Sequence, residues 1–434
     1  MMIPDRIDVA ERGGAARGDA HSGGRPARIL YFAPHTIGTS AGSGIQRVTR
    51  QVAPALRSLA PLDFVKWDPV DGQLRYFNAP DHDRFFQSRL WRQKYQVNRY
   101  AERRGYRFED TIAPAERSGT WLMLPEIAHH MPNGLQIYRD VLTEARERKL
   151  RTAALLYDLI PITNAAYQGE LKSDHERYIR QLLEIDLLLP ISFHSANELA
   201  RYEARWLREE LRRHPGRAVA PVPLAGTSGG NTRARTVRTS LPERNLILLL
   251  GTVEPRKRQV EVLRAFKALG LGAKYGLKAL VIGALHPQSA EAFRRIIADD
   301  PAIEYLGYVE ETRVEALFAR ARFSVFASND EGFGLPICES LANGVPCLAA
   351  NFGAMREAAE GGGCLLLDVN DANELGRGLE RLARDDGLIE DLRREIGART
   401  FRTWDDYARD VLRLMSEYQE THTGRRGSGA PAAP

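Results

Sequence analysis

Short, nearly continuous apolar runs alternate along this chain with longer stretches in which apolar residues recur every three or four positions. Arg28 to Ala33, Trp121 to Leu124, Ala153 to Tyr157 and Asp186 to Pro190 are runs apolar enough for strands buried on both faces of a sheet. The first is followed by helical spacing from about Ile45 to Leu59, and a helical pattern follows each of the others. The alternation stops at Thr227-Ser-Gly-Gly-Asn-Thr-Arg-Ala-Arg235, a polar, glycine-bearing run without periodicity that reads as a linker. It then resumes: Asn245 to Leu250, Ala279 to Gly283, Glu304 to Leu306, Phe323 to Ala327, Cys347 to Ala349 and Cys364 to Leu367 read as strands with helices between them. The pattern predicts an α/β protein of two Rossmann-like, doubly wound domains facing across a cleft. The expected organisation is a first Rossmann-like domain over residues 27–226, a linker over 227–243, a second over 244–402 and a terminal helix over 403–420. There is no short internal repeat.

Composition changes this picture little. A chain of 434 residues that is 43% hydrophobic can bury two cores of ordinary size. Residues 1–26 and 421–434 are rich in Gly, Ala and either Arg or Pro, too poor in apolar surface to offset their ordering entropy, and are expected to be disordered tails. Cys338, Cys347 and Cys364 have no zinc or redox spacing and read as buried fillers in a reducing cytosol. No apolar run approaches the ~20 residues of a membrane span, and the amino terminus has charges where a signal peptide needs an apolar core. A cytoplasmic location is expected.

The chemistry concentrates in Glu331-Gly-Phe-Gly-Leu-Pro-Ile-Cys-Glu339, two carboxylates on either side of a flexible loop that runs into a helix. Gly332 and Gly334 allow close backbone approach, Pro336 suits a first helical position, and the helix start offers free amides to an anion. Because the strand Phe323 to Ala327 comes first, this loop belongs at the carboxyl edge of a parallel sheet, where such folds bind ligands. The two acids can straddle a polyol. Glu254-Pro-Arg-Lys257 follows another strand and is a cationic loop: Arg256 and Lys257 can meet the negative charge that develops on a departing diphosphate.

The stretch Glu331 to Glu339 resembles the paired-glutamate motif of the family-4 retaining glycosyltransferases, enzymes of GT-B architecture. Gly251-Thr-Val-Glu-Pro-Arg-Lys257 is similar to that family's donor-diphosphate loop, Ser43-Gly44-Ile-Gln-Arg-Val48 to its amino-terminal glycine loop, and Asp158-Leu-Ile-Pro161 to a segment of its bacterial O-antigen and capsular polysaccharide mannosyltransferases. The likeness runs from about Ala27 to Leu414. It implies that Glu331 bonds hydroxyls of the donor sugar and Glu339 the ribose. Lys257 and Arg256 would hold the diphosphate, and the backbone of Phe333, Gly334 and Leu335 the sugar and phosphate. Gly44 would meet the phosphates from the opposite domain, Asp158 the acceptor, and the terminal helix would return to the first domain. The anomeric configuration would be retained without a protein nucleophile, although Glu331 is also chemically able to attack directly. Two departures stand out: Thr252 where many relatives have arginine, and Tyr157 where many have histidine.

The resemblance implies a hexosyltransferase, with GDP-mannose the favoured donor and a growing surface polysaccharide or lipid-linked glycan the acceptor. A UDP-sugar-dependent enzyme and a noncatalytic GT-B partner subunit are the alternatives. No tightly bound cofactor and no metal requirement are expected. Asp81-His-Asp83 has a metal-like spacing but follows a loop signal and reads as a polar turn. His129-His130 reads as cleft lining or plain surface. Arg84 to Arg107 mixes cations with Phe, Trp and Tyr, which suits anionic lipid on the inner face of the membrane as well as a solvated helix. Arg201 to Arg213 interleaves Glu203, Glu209 and Glu210 and reads as an exposed helix. Nucleic acid is not expected as a partner, because no recognition motif accompanies the net charge of +5. A dinucleotide oxidoreductase is disfavoured by the spacing of Gly38, Gly42 and Gly44.

Overall fold

The computed structural model of the protein describes residues 26–38, 43–78, 81, 85, 119–165, 167–226, 232–235 and 243–422. Most of the terminal tails, most of the linker and nearly all of Arg84 to Arg107 lie outside the described residues.

The expected α/β architecture is present, as two sheets with helices on their faces. The first sheet holds β1 (Arg28–Phe32), β2 (Leu62–Asp68), β3 (Gln73–Tyr76), β4 (Thr120–Leu124), β5 (Arg151–Leu156), β6 (Leu187–Pro190) and β7 (Ala218–Val219), in the order β3-β2-β1-β4-β5-β6-β7. All its pairs are parallel except β2 with β3. The second holds β8 (Leu246–Leu250), β9 (Lys278–Ile282), β10 (Ile303–Gly307), β11 (Ala321–Phe326), β12 (Cys347–Ala350) and β13 (Cys364–Leu367), all parallel, in the order β10-β9-β8-β11-β12-β13. In each the strand order reverses beside the first strand, next to β4 in one and β11 in the other, which is where doubly wound sheets open a crevice.

The central strands are mostly apolar because both of their faces are covered, although β5 begins with Arg151 and Thr152 and β11 carries Arg322 and Ser324. Every residue of β4, β5 and β11 is buried. Three strands escape a reading for continuous apolar runs, one of them the two-residue edge strand Ala218–Val219. Leu62–Asp68 carries Asp63, Lys66 and Asp68 among its apolar residues, and Gln73–Tyr76 is a four-residue antiparallel edge held by Asp68–Gln73 and Val65–Tyr76 pairing.

The last helix, Trp404–His422, crosses back to the first domain and lies on the helix Gly44–Arg57. Gln419 Oε1 accepts from Trp121 Nε1 at 2.6 Å, and Tyr418 OH donates to the Gly216 carbonyl at 2.7 Å. The described part of the linker is fastened to the second domain: Arg235 N donates to Ala342 O at 2.8 Å and Phe401 N to Thr232 O at 2.8 Å. Asp81 is buried in a turn, taking Lys66 at 2.7 Å and the Asn78 amide at 3.0 Å, while Asp83 is outside the described residues. Among the described residues no group of three or more His, Cys, Asp and Glu could hold a metal, and no helix is long and apolar enough to cross a membrane.

Candidate active site in the cleft between the sheets

Both switch points open on one cleft of about 1010 Å³, lined by residues from both halves of the chain. Gly44, Asp158, Arg256, Lys257, Glu331, Phe333, Gly334 and Leu335 are all on its walls. Glu339 is not: it lies in an adjoining crevice of about 20 Å³ with Trp404 and is ion-paired to Arg47 of the first domain.

The wall from the second domain is made by two strand-end loops. After β8, Gly251 at φ +107° redirects the chain into a single turn, Pro255–Lys257, which leads into the helix Gln259–Ala268. After β11, residues 328–333 lead into the helix Leu335–Ala342, which Gly334 begins at φ +103°, a conformation that a side chain disfavours. Pro336 sits within the first two positions of that helix, where a missing amide hydrogen costs nothing.

Arg256 ties the two loops together. Its guanidinium lies 2.7 Å from Glu254 Oε1 and 2.8 Å from Glu331 Oε1, and it also donates to the Asp330 carbonyl. Burial draws its pKa down, but Glu331 and then Glu254 outweigh burial and hold it above the ordinary arginine value. Glu331 Oε1 accepts no aligned N–H from this contact, so that oxygen keeps its capacity for a ligand hydroxyl. Lys257 is more loosely held, with Nζ 3.6 Å from Glu254.

The opposite wall carries Asp158, directly after β5, where its Oδ1 accepts from the Ile160 amide at 3.0 Å. Burial, partly opposed by Arg256 and the Ile160 amide, pushes this carboxyl up to about 6, and Glu331 and Glu254 push the same way. The carboxyl thus feels the charges of the facing wall. The two walls touch at Gly332, where a Cβ would stand 2.3 Å from the Tyr157 carbonyl oxygen. The close approach that Gly332 permits is therefore to the other domain. Its carbonyl accepts from Ser192 Oγ at 2.6 Å and Ser195 Oγ at 3.0 Å, and Ser195 also donates to Tyr157 O at 2.7 Å. Glu357 of the second domain accepts from the Phe193 and His194 amides, both at 3.0 Å, at the start of the helix Phe193–Trp206.

Several residues here were not picked out from the sequence. Glu126, buried just after β4, accepts from the His35 amide at 2.9 Å and the Thr36 amide at 2.8 Å, fixing the short helix Pro34–Gly38 that puts His35 in the cleft. Burial raises the Glu126 carboxyl to about 7. His130, one of the pair His129-His130 expected as cleft lining or plain surface, does line the cleft; His175, not expected, has its Nδ1 2.8 Å from His129 Nε2 and its Nε2 3.1 Å from the Asp158 carbonyl oxygen. Burial, with the neighbouring imidazoles adding for His129 and His130, lowers all three histidines to about 4, so they are neutral at pH 7. The available signals were modest: a lone acid at a strand's carboxyl end for Glu126, and Ser-x-x-Ser after a buried strand for Ser192 and Ser195.

Residues 232–402 match the family model of glycosyl transferases group 1. The chain is 26% identical over 254 residues to O-antigen chain mannosyltransferase B of Escherichia coli, covering 55% of this chain and 63% of that one. It is 24% identical over 292 residues to the serotype-specific mannosyltransferase WbdA of Escherichia coli, covering 64% of this chain and 35% of that protein. It is 29% identical over 265 residues to a D-inositol 3-phosphate glycosyltransferase of Salinispora tropica, covering 56% of this chain and 53% of that one. The matches thus span less than two thirds of these relatives. Among solved structures, Anabaena HepE in complex with UDP and glucose aligns with a TM-score of 0.57 at 12% identity, over 89% of this chain and 99% of that one. Sucrose-phosphate synthase of Thermosynechococcus elongatus aligns with a TM-score of 0.57 at 14% identity, over 91% and 99%. The fold is GT-B.

Proposed function

We propose that this chain is a nucleotide-sugar-dependent glycosyltransferase that moves a hexose, mannose from GDP-mannose, onto a growing surface polysaccharide or lipid-linked glycan with retention of anomeric configuration. The observation that carries the reading is the cleft itself. Acid and base groups from two strand-end loops of the second domain face a carboxyl from the first across a space large enough for a nucleotide sugar. Two mannosyltransferases among the relatives favour mannose.

Lys257, held only loosely by Glu254, is the cation for the departing diphosphate. Arg256 acts differently from the expectation that it grips phosphate: it is committed to Glu254 and Glu331 and so orients Glu331 toward donor-sugar hydroxyls. A carboxylate neutralised in this way is a poor nucleophile, which favours transfer within the donor–acceptor pair, the leaving diphosphate taking the acceptor proton. The backbone of Phe333 to Leu335 and Gly44 bracket the phosphates, and Asp158 receives the acceptor hydroxyl. No metal enters this scheme, and the basic residues 84–107 provide peripheral contact with an anionic membrane.

The test is release of GDP from GDP-mannose in the presence of a lipid-linked mannose acceptor, with UDP-glucose and UDP-galactose in parallel and with EDTA added. Transfer from GDP-mannose alone, unaffected by EDTA and giving an α-linked product by NMR, supports every part of the reading. Transfer from a UDP-sugar moves the donor assignment. Failure to bind any nucleoside diphosphate overturns the enzyme reading in favour of a noncatalytic subunit.

A further inference from the structure

The lining of the cleft raises a question of charge. Asp158 and Glu331 stand against Arg256 and Lys257, and Glu254 lies behind both cations. A diphosphate brought into this space meets groups whose charges already cancel, and the better cation, Arg256, has both of its terminal nitrogens engaged by carboxylates. Stabilising a departing diphosphate needs net positive charge that is free to reach it.

We propose that Arg47 supplies that charge: it is a phosphate-binding residue of the cleft, held on Glu339 until a diphosphate draws it away. Arg47 sits in the first turn of the helix Gly44–Arg57 and lines both the cleft and the small crevice that holds Glu339. Its guanidinium is ion-paired to Glu339, across the boundary between the two domains. Arg47 is 47% exposed on its side chain and Glu339 only 17%, so the arginine is the partner with room to move. An exposed ion pair of this kind contributes little to stability, so parting it costs little. A guanidinium grips two oxygens of a phosphate as readily as two of a carboxylate, and a diphosphate carries more negative charge than the single carboxylate of Glu339. The start of its own helix, at Ser43 and Gly44, opens on the same cleft, so a phosphate there meets the positive end of the helix as well as the side chain.

This inference rests on the nucleotide-sugar reading above. It makes Glu339 a restraint on Arg47, and the two substitutions then act in opposite directions on the diphosphate. The measurement is the affinity of the full chain for GDP divided by that for guanosine, with UDP and uridine in parallel. That ratio isolates the diphosphate, because contacts to base and ribose cancel. In Arg47→Gln the ratio falls about 10-fold, the loss of one charge-assisted pair of hydrogen bonds. Arg47→Lys keeps part of it, and Glu339→Gln raises it or leaves it at the native value. The melting temperature of Arg47→Gln stays close to native, which separates a lost contact from a damaged fold. An unchanged ratio in Arg47→Gln overturns the inference and leaves the nucleotide reading intact. A fall in Glu339→Gln as large as that in Arg47→Gln overturns it too, since Glu339 would then be positioning the arginine. A native chain that binds neither GDP nor UDP overturns the underlying reading itself.

Discussion

Replacing Arg256 with Gln tests the organisation of this cleft wall more sharply than removing an acid does. The guanidinium lies 2.8 Å from Glu331 and 2.7 Å from Glu254, and the three side chains are only 13%, 15% and 14% exposed. At an effective dielectric near 20, a pair of unit charges at 4 Å attracts by ~4 kcal/mol, so the two contacts are worth several kcal/mol before desolvation is subtracted. Removing one member of a buried pair leaves its partner's charge uncompensated and costs about 3–5 kcal/mol. Because this cluster borders the cleft, the lower end, about 3 kcal/mol, is the expected loss for Arg256→Gln. Spread over a domain of this size, that lowers the melting temperature by ~6–12 °C. Adding Glu331→Gln removes one of the stranded carboxylates, so the double variant regains a substantial part of the loss. The assay is denaturant unfolding of the native chain, both single variants and the double variant. If Arg256→Gln unfolds at the native midpoint, the guanidinium does not organise Glu331, and its assignment as an orienting residue is wrong.

Lys257→Ala and Glu331→Gln each reduce turnover ~100-fold while leaving a folded protein, checked by product formation beside a thermal melt; near-native turnover in either removes that residue from the chemistry. Asp158→Asn stabilises the fold while impairing transfer. The folded pKa of about 6 lies above the ordinary aspartate value of 3.8, so native stability is lost as pH rises between these values, and the variant escapes that loss. Its gain is ~3 kcal/mol at pH 8 and vanishes below about pH 4, by denaturant midpoints across pH. For His129, His130 and His175 the sign is opposite: each is held at about 4 against 6.5, so stability is lost as pH falls through that window. Three such groups outweigh Asp158 and Glu126, so the chain loses stability on acidification from pH 6.5 to 4, and His129→Gln/His175→Gln flattens that slope. Gly332→Ala drives a methyl against the Tyr157 carbonyl and parts the two walls, so turnover falls at least 10-fold with each domain still folded.

The strands that make up the centre of each sheet were legible because burial on both faces leaves a one-dimensional mark: Thr120–Leu124 is apolar after its first residue, and Ala321–Phe326 keeps four apolar residues of six around Arg322 and Ser324. Leu62–Asp68 and Gln73–Tyr76 were not, since a strand near a sheet edge needs only one apolar face and a short one gives too few positions to display a period. The site divides along the same line. That Glu331, Lys257 and Asp158 would share one cleft was legible because each follows a buried strand, and topology alone brings strand ends to a common edge. What Arg256 and Arg47 do was not readable. Arg256 can reach a phosphate or a carboxylate with equal ease, and only the fold brings Glu331 within 2.8 Å of it. Arg47 and Glu339 are separated by 292 positions and belong to different domains. Gly332 shows the limit most clearly. A glycine beside two acids reads as room for a ligand, yet that room is filled by Tyr157, and the carbonyl beside it is bonded by Ser192 and Ser195. Local sequence specifies which groups arrive at the cleft. Which of them are already spent on one another, and which remain for a ligand, is decided by contacts between the two domains.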